Sequence, residues 1–427
     1  MVAFLRRFAL IAMACALVLT GCTATPASDA TGAESDLWDS EVVHTISVDY
    51  DQSDYDAMIQ TYLDTEEKDW IEATVVIDGE TYEDAGLKLK GNSSLRGLST
   101  SADAELSSES PEDLPWLVRL DKYVDGQNHD GTTELVVRGN SSETALNEAV
   151  ALGMLAEAGL ASQQAIAVRF SADGSDERLR LVIENPDDGW MERELGDGML
   201  YKAEAGGDYS YRGDDADAYA EVFDQEGGGD DLQPLIDFLE WINEVDDETF
   251  AADLDEHLDV DGFATYLAFQ ELVGNSDDID GPGNNSYLYY DPATSRMTVV
   301  TWDLNLAFGA SPGGGGFGGG GGDGGDRGGD GGGRPGDAGG DGGGGFGGGQ
   351  GGGFGGSNVL AERFLADADF AALYRSELER LQAEIVDSGD AQHLVDQWTQ
   401  TLLDGASDLV DSATIHSDAD EIAGQLS

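Results

Sequence analysis

The chain has 427 residues, with 21 Lys and Arg against 86 Asp and Glu, for a formal charge of −65. No basic stripe interrupts that charge, so polyanions such as nucleic acid or a bare anionic membrane are repelled, and nucleic-acid binding is excluded as a function. The length leaves room for a large core in two lobes or two small domains, although low-complexity stretches keep part of it from contributing.

Residues 1–22 read as a bacterial lipoprotein signal, with Arg6-Arg7, an apolar run from Phe8 to Leu19, and Leu19-Thr20-Gly21-Cys22. The apolar run is too short to span a bilayer comfortably. Cleavage before Cys22 leaves it as a lipidated amino terminus and the only cysteine of the mature chain, so no internal disulfide forms. The expected location is extracytoplasmic, with a lipid anchor in the bacterial cell membrane. Residues 23–40 are mostly Ser, Thr, Ala, Asp and Glu and are expected to form a disordered tether.

Apolar alternation begins after Glu41, with Val42, Ile46 and Val48. Ile59 and Tyr62 follow at helical spacing, and strands are expected over Ile71 to Ile77 and Tyr82 to Lys90. The segment Lys88-Leu-Lys-Gly-Asn-Ser-Ser-Leu-Arg96 ends a strand in a small-residue loop, and Trp116 to Leu120 returns as a strand carrying Arg119. Such a loop can turn backbone N–H groups toward a phosphate while Lys90 and Arg119 neutralise it; an ordinary hairpin with exposed lysines is the plainer alternative. A second Gly139-Asn-Ser-Ser142 reads instead as the cap of a helix from Glu143 to Ala158.

That helix buries Leu146, Val150, Leu152, Met154 and Leu155, and its Glu148 is either solvated or the partner of a phosphate-binding lysine. Strands follow over Ala165 to Phe170, Arg178 to Glu184 and Gly198 to Ala203. Lys202, a lone cation on an apolar strand, needs an anionic partner, either a phosphate or a local acid. Ala216 to Phe250 reads as helical, acidic and surface-like, and Asp261 to Leu272 as a capped, buried helix. The fold class is therefore α+β. Neither Asp49 to Asp56 nor the Asp259 region carries an EF-hand pattern, and the five histidines are too scattered for zinc.

Chemistry concentrates in Asp280-Gly-Pro-Gly-Asn-Asn285, in a hairpin Ser286 to Tyr290 and Met297 to Trp302, and in Asp303-Leu-Asn-Leu-Ala-Phe-Gly309. In phosphoryl transfer by kinases a carboxylate accepts the hydroxyl proton, an Asn five residues later holds metal, and a second carboxylate after a hairpin bridges metal to phosphate. Asp280, Asn285 and Asp303 have that order, and the hairpin returns the chain so that both carboxylates can face one metal. Ser311 to Gly356 holds 31 Gly in 46 residues, which behaves as a flexible coil, after which helical periodicity resumes over Val359 to Ile385 and Gln392 to Val410.

Together, the Lys88 to Ser94 strand and loop, Leu200-Tyr-Lys202, the Asp280 to Asn285 loop and Trp302 to Gly309 resemble the spore-coat CotH family of atypical protein kinases. The resemblance runs from about Val42 to Leu381 and is most specific between Gly274 and Gly309. It implies an atypical protein-kinase-like, two-lobed fold, with the main part at residues 41–310, the Gly-rich disordered insertion at 311–356 and a helical carboxy-terminal part at 357–427. It also implies ATP with Mg2+ or another divalent metal, and transfer of the γ-phosphoryl group to Ser or Thr of secreted or cell-surface proteins. Asp280 would be the catalytic carboxylate, Asn285 and Asp303 the metal ligands, and Lys90, Arg119, Lys202 and Glu148 the nucleotide-binding set. No His-Arg precedes Asp280, no glycine-rich nucleotide loop can be written, and Asn305 stands where relatives often carry a second acid. A catalytically inactive extracytoplasmic binding or matrix lipoprotein, and nucleotidyl transfer to protein, remain the alternative functions.

Overall fold

The computed structural model describes residues 36–310 and 358–427, apart from Asp103, Glu105, Ala205, Ser276 and residues 280–284. The amino-terminal half comprises β1 (Val43–Tyr50), α1 (Gln52–Thr65), β2 (Ile71–Ile77), β3 (Glu80–Leu89), β4 (Trp116–Arg119), β5 (Glu134–Val137), α2 (Leu146–Glu157), β6 (Ala165–Ala172) and β7 (Arg178–Glu184). Period-two alternation makes the strands: in β2, Ile71, Ala73, Val75 and Ile77 turn inward while the residues between them face out. The seven strands close into a barrel in the order β1-β2-β3-β4-β5-β7-β6. The one parallel pairing, β1 with β6, closes it, and the other six ladders are antiparallel.

Two cores share this barrel. Val48, Val75, Leu87, Leu89, Val118 and Phe170 fill its interior. On the outer face, Val136, Leu181 and Ile183 pack with Val150 and Leu155 of α2. Strand β3 departs from this on its outer face, where Gly86, Lys88 and, just past the strand, Lys90 form a half-buried cationic strip.

The second half contains α3 (Asp188–Glu194), β8 (Met199–Ala203), β9 (Phe223–Gly227), α4 (Gln233–Glu244), α5 (Asp247–Asp253), α6 (Val260–Leu272), β10 (Ser286–Asp291) and β11 (Arg296–Thr301). It ends in α7 (Val359–Ala366), α8 (Ala368–Leu381), α9 (Asp390–Gly405) and α10 (Ser412–Gln425). The strands form an antiparallel sheet in the order β11-β10-β8-β9. Leu235, Leu239, Phe263, Tyr266 and Phe364 build the core behind it from α4, α6 and α7.

The α+β class expected from the sequence holds, and so do the β10–β11 hairpin and the buried helix α6. Three readings are corrected. The stretch from Ala216 to Phe250 is not a surface helix: it holds the edge strand β9, and α4 buries Leu235, Ile236 and Leu239. Helix α2 begins at Leu146 rather than Glu143, because Ser142 Oγ accepts from the Ala145 N–H at 3.0 Å and keeps the entry as a turn. Residues 36–40, assigned to the tether, belong to the folded part: Leu37 is fully buried, and the Ser40 carbonyl accepts from Thr401 Oγ1 at 3.0 Å, while residues 23–35 lie outside the described residues. Closure of the barrel was not foreseen, since it joins strands more than a hundred residues apart. Among the described residues no helix is long and apolar enough to cross a membrane. Cys22 and the insertion at residues 311–356 lie outside the described residues.

Candidate active site

The β10–β11 hairpin carries Asn285 at its start and Trp302-Asp303 just past its end, and the register pairs Ser286 with Thr301. Both chemistry-bearing ends of the motif therefore meet at one side of the sheet. Asp303 adopts a left-handed conformation at φ 62°, a strained choice for a non-glycine residue that turns the chain sharply after the strand. The turn is braced from two sides. The Asn305 carbonyl accepts from Ser141 Oγ at 3.0 Å and from Asn147 Nδ2 at 2.6 Å, and the Phe308 N–H donates to the Val273 carbonyl at the end of α6.

Asp303 does not stand alone. The Arg138 guanidinium, at the end of β5, donates to an Asp303 carboxylate oxygen and also grips Glu148 of α2, at 2.9 Å and 3.0 Å to its two oxygens. Arg138 and Glu148 are largely enclosed, with side chains 12% and 4% exposed, while Asp303 retains 21%. Burial opposes the charge on Arg138, but Asp303 and Glu148 outweigh it and raise the pKa of the guanidinium. Burial raises Glu148, Arg138 pulls it back, and Asp303 pushes it up again; the guanidinium fork on both oxygens keeps the pair ionic. The Arg138 backbone is itself fixed, its carbonyl accepting from the buried Arg180 guanidinium.

On the other side, Asn285 Nδ2 donates to the Asp277 carbonyl at 2.7 Å, which leaves its amide oxygen for a cation. The Asp277 carboxyl is raised, first by burial and also by the nearby Asp303 charge, so these two acids share one neighbourhood. Among the described residues no three His, Cys, Asp or Glu side chains converge at metal-ligand spacing. The donors present are nevertheless hard oxygens, as a Mg2+ ion prefers when phosphate oxygens and water complete its shell. Asp303 and Asn285 fit that role. Asp280 lies outside the described residues.

The chain has five lysines, and they cluster, with Lys88 close enough to feel the charges of Lys68, Lys90, Lys122 and Lys202. Lys90 and Arg138 both lie over the Trp302 ring, at 6.0 Å and 5.8 Å from its centroid. Lys90 Nζ donates to Asn185 Oδ1 at 3.1 Å, and burial pushes its pKa down to about 8, with Lys202 and Lys88 adding to the fall against Glu226 and Glu134. Lys202 is opposite Tyr287 in the sheet, and Tyr287 meets the Trp302 ring edge to face at 5.6 Å. Lys202 pairs with Glu204, which also accepts from Asn92 at 3.3 Å, and Asn92 accepts from Lys68 at 2.7 Å. Lys88 and Lys122 share the Trp70 ring.

Of the residues singled out from the sequence, Asn285, Asp303, Lys90 and Lys202 come together. Glu148 does too, but its partner is Arg138 rather than a lysine. Arg119 is held by Asp121 at 2.7 Å and Glu134 at 3.2 Å. Arg138 and Asp277 were missed. The signal for Arg138 was present as a repeated pattern, a cation before Gly-Asn-Ser-Ser in both Lys90 to Ser94 and Arg138 to Ser142.

No curated protein matches the chain. Residues 87–416, which take in Lys88, Lys90, Lys122, Lys202, Arg138, Glu148 and the whole hairpin motif, match the family described as CotH kinase protein, and the chain belongs to that family.

Proposed function

We propose that this chain is a protein kinase-like phosphotransferase that moves the γ-phosphoryl group of ATP to Ser or Thr hydroxyls of secreted or surface proteins, working from a lipid anchor at Cys22. The observation that carries the reading is Arg138, which joins Glu148 and Asp303 beside a wall of lysines. Kinases use a strand cation paired to the glutamate of the following helix, near the metal-binding carboxylate, to hold nucleotide phosphates. Here β5, Arg138 and α2 supply that order with an arginine in the lysine's place.

Glu148 fixes the guanidinium so that its remaining donors face phosphate oxygens without reorganisation. Lys90 and Lys202 add the positive charge that a nucleotide of about −4 needs in so acidic a chain. A divalent cation, held by Asp303 and Asn285, would neutralise charge on the β- and γ-phosphate oxygens. Asp280 accepts the proton of the acceptor hydroxyl as its oxygen bonds to the γ-phosphorus; the bond from that phosphorus to the β–γ bridging oxygen breaks, and ADP leaves. The test is a melting titration. ATP with Mg2+ should raise the melting temperature of the parent, by about 2.7 kcal/mol of linkage at a hundredfold excess over Kd, and should leave Asp303→Ala unmoved. An equal shift in both proteins removes Asp303 from the site.

A further inference from the structure

The nucleotide reading uses Arg138, Lys90 and Lys202 and leaves the outer half of the lysine wall without a task. Lys88 lies on the same face of β3 as Lys90, two residues or about 7 Å further out. Beyond it stands Gly86, above which two neighbouring segments meet: Trp70, just before β2, and Lys122, just after β4. A Cβ on Gly86 would come within 2.6 Å of the Lys122 Cβ and 2.9 Å of Trp70 Cε3, so the bare backbone here is what lets them converge. The result is a platform in which the Lys88 and Lys122 ammonium groups sit 4.7 Å and 4.9 Å from the Trp70 ring centre.

Among the described residues Lys68, Lys88, Lys90 and Lys122 form no ion pair, in a chain with 86 carboxylates, although Glu226 and Glu134 stand near Lys88, whereas Arg119, Arg138, Arg169 and Arg193 each hold two. Gathering like charges around one ring is unfavourable unless an anion joins them, and the aromatic face offsets only a small part of that cost.

We propose that Lys88 and Lys122, with Lys68 beside them, bind a carboxylate or phosphate group on the acceptor segment, so that the protein substrate is acidic near its target hydroxyl. The term acceptor rests on the phosphotransferase reading; the anion site does not.

The experiment measures binding without turnover. Two labelled peptides with one Ser, flanked by Asp in one and by Asn in the other, are titrated against the full chain by fluorescence anisotropy. The Asp peptide should bind more tightly. The double substitution Lys88→Gln with Lys122→Gln should weaken it by about tenfold or more, as expected for lost charge-assisted bonds. Affinity for a fluorescent ATP analogue should stay within twofold, and Lys88→Arg with Lys122→Arg should keep the Asp preference. Equal binding of the two peptides by the parent overturns the proposal, as does a Gln pair that loses nucleotide rather than peptide. A chain that binds the Asp peptide through these lysines yet transfers no phosphoryl group contradicts the phosphotransferase reading and leaves the anion site standing.

Discussion

Replacing Arg138 by Lys keeps a positive charge between Glu148 and Asp303 but removes the planar fork that reaches both. Arg138→Lys should therefore fold and lose at least tenfold in nucleotide affinity, whereas Arg138→Gln strands Glu148 in the interior and should cost about 3–5 kcal/mol of stability. Chemical denaturation with a nucleotide titration on each variant separates the two effects. Lys90 carries a second expectation. Its pKa is pushed down to about 8 in the free protein, so the ammonium is present below that pH and lost above it. Nucleotide affinity should fall as pH rises past about 8 and should not fall in Lys90→Arg; parallel profiles would take Lys90 out of the phosphate site. At this scale Asn285 and Asp303 were legible because their roles follow from spacing within one hairpin. Arg138 was not, since a cation after an apolar strand is commonplace and its partner Asp303 is 165 residues away.

At the scale of elements, β1 is pinned to the β2–β3 turn by His44 and Asp78, 2.6 Å apart. Burial alone would lower the His44 pKa, but the Asp78 hydrogen bond and charge win and raise it above 6.5. Burial alone would raise Asp78, but His44 and the Thr45 N–H bring it below 3.8. The histidine's contribution is complete below pH 6.5 and lost as pH rises through its raised pKa; the aspartate's is present above 3.8 and lost as pH falls through its lowered one. Stability measured against pH should thus decline above neutrality in the parent and less so in His44→Gln; matching slopes would show that the pair does not anchor β1. Strands β2 and β7 were readable from alternation. Strand β9 was hidden because Phe223-Asp-Gln-Glu-Gly227 has the composition of a turn and becomes a strand only by pairing along β8.

For the whole molecule, the described chain stops at Ala310 and resumes at Asn358, whose side chain caps α7 and whose neighbours Leu360 and Phe364 enter the core behind the second sheet. Deleting residues 311–356 while keeping a short linker should leave a cooperative melting transition, because closure entropy changes only logarithmically with length. Loss of that transition would show that the Gly-rich segment packs into the fold. The net charge of −65 foretold that any anionic substrate must find a local exception, and all five lysines form it; their convergence could not be read from their positions along the chain.

The most direct measurement incubates the purified chain with Mg2+ and an acidic Ser-containing protein, using ATP labelled in separate reactions at the α and γ phosphorus. Label from γ alone should appear on protein with the parent and vanish in Asp280→Ala and Asp303→Ala. Label from α would mean nucleotidyl transfer, and no label from either position, with a folded and nucleotide-bound parent, would contradict phosphoryl transfer at this site.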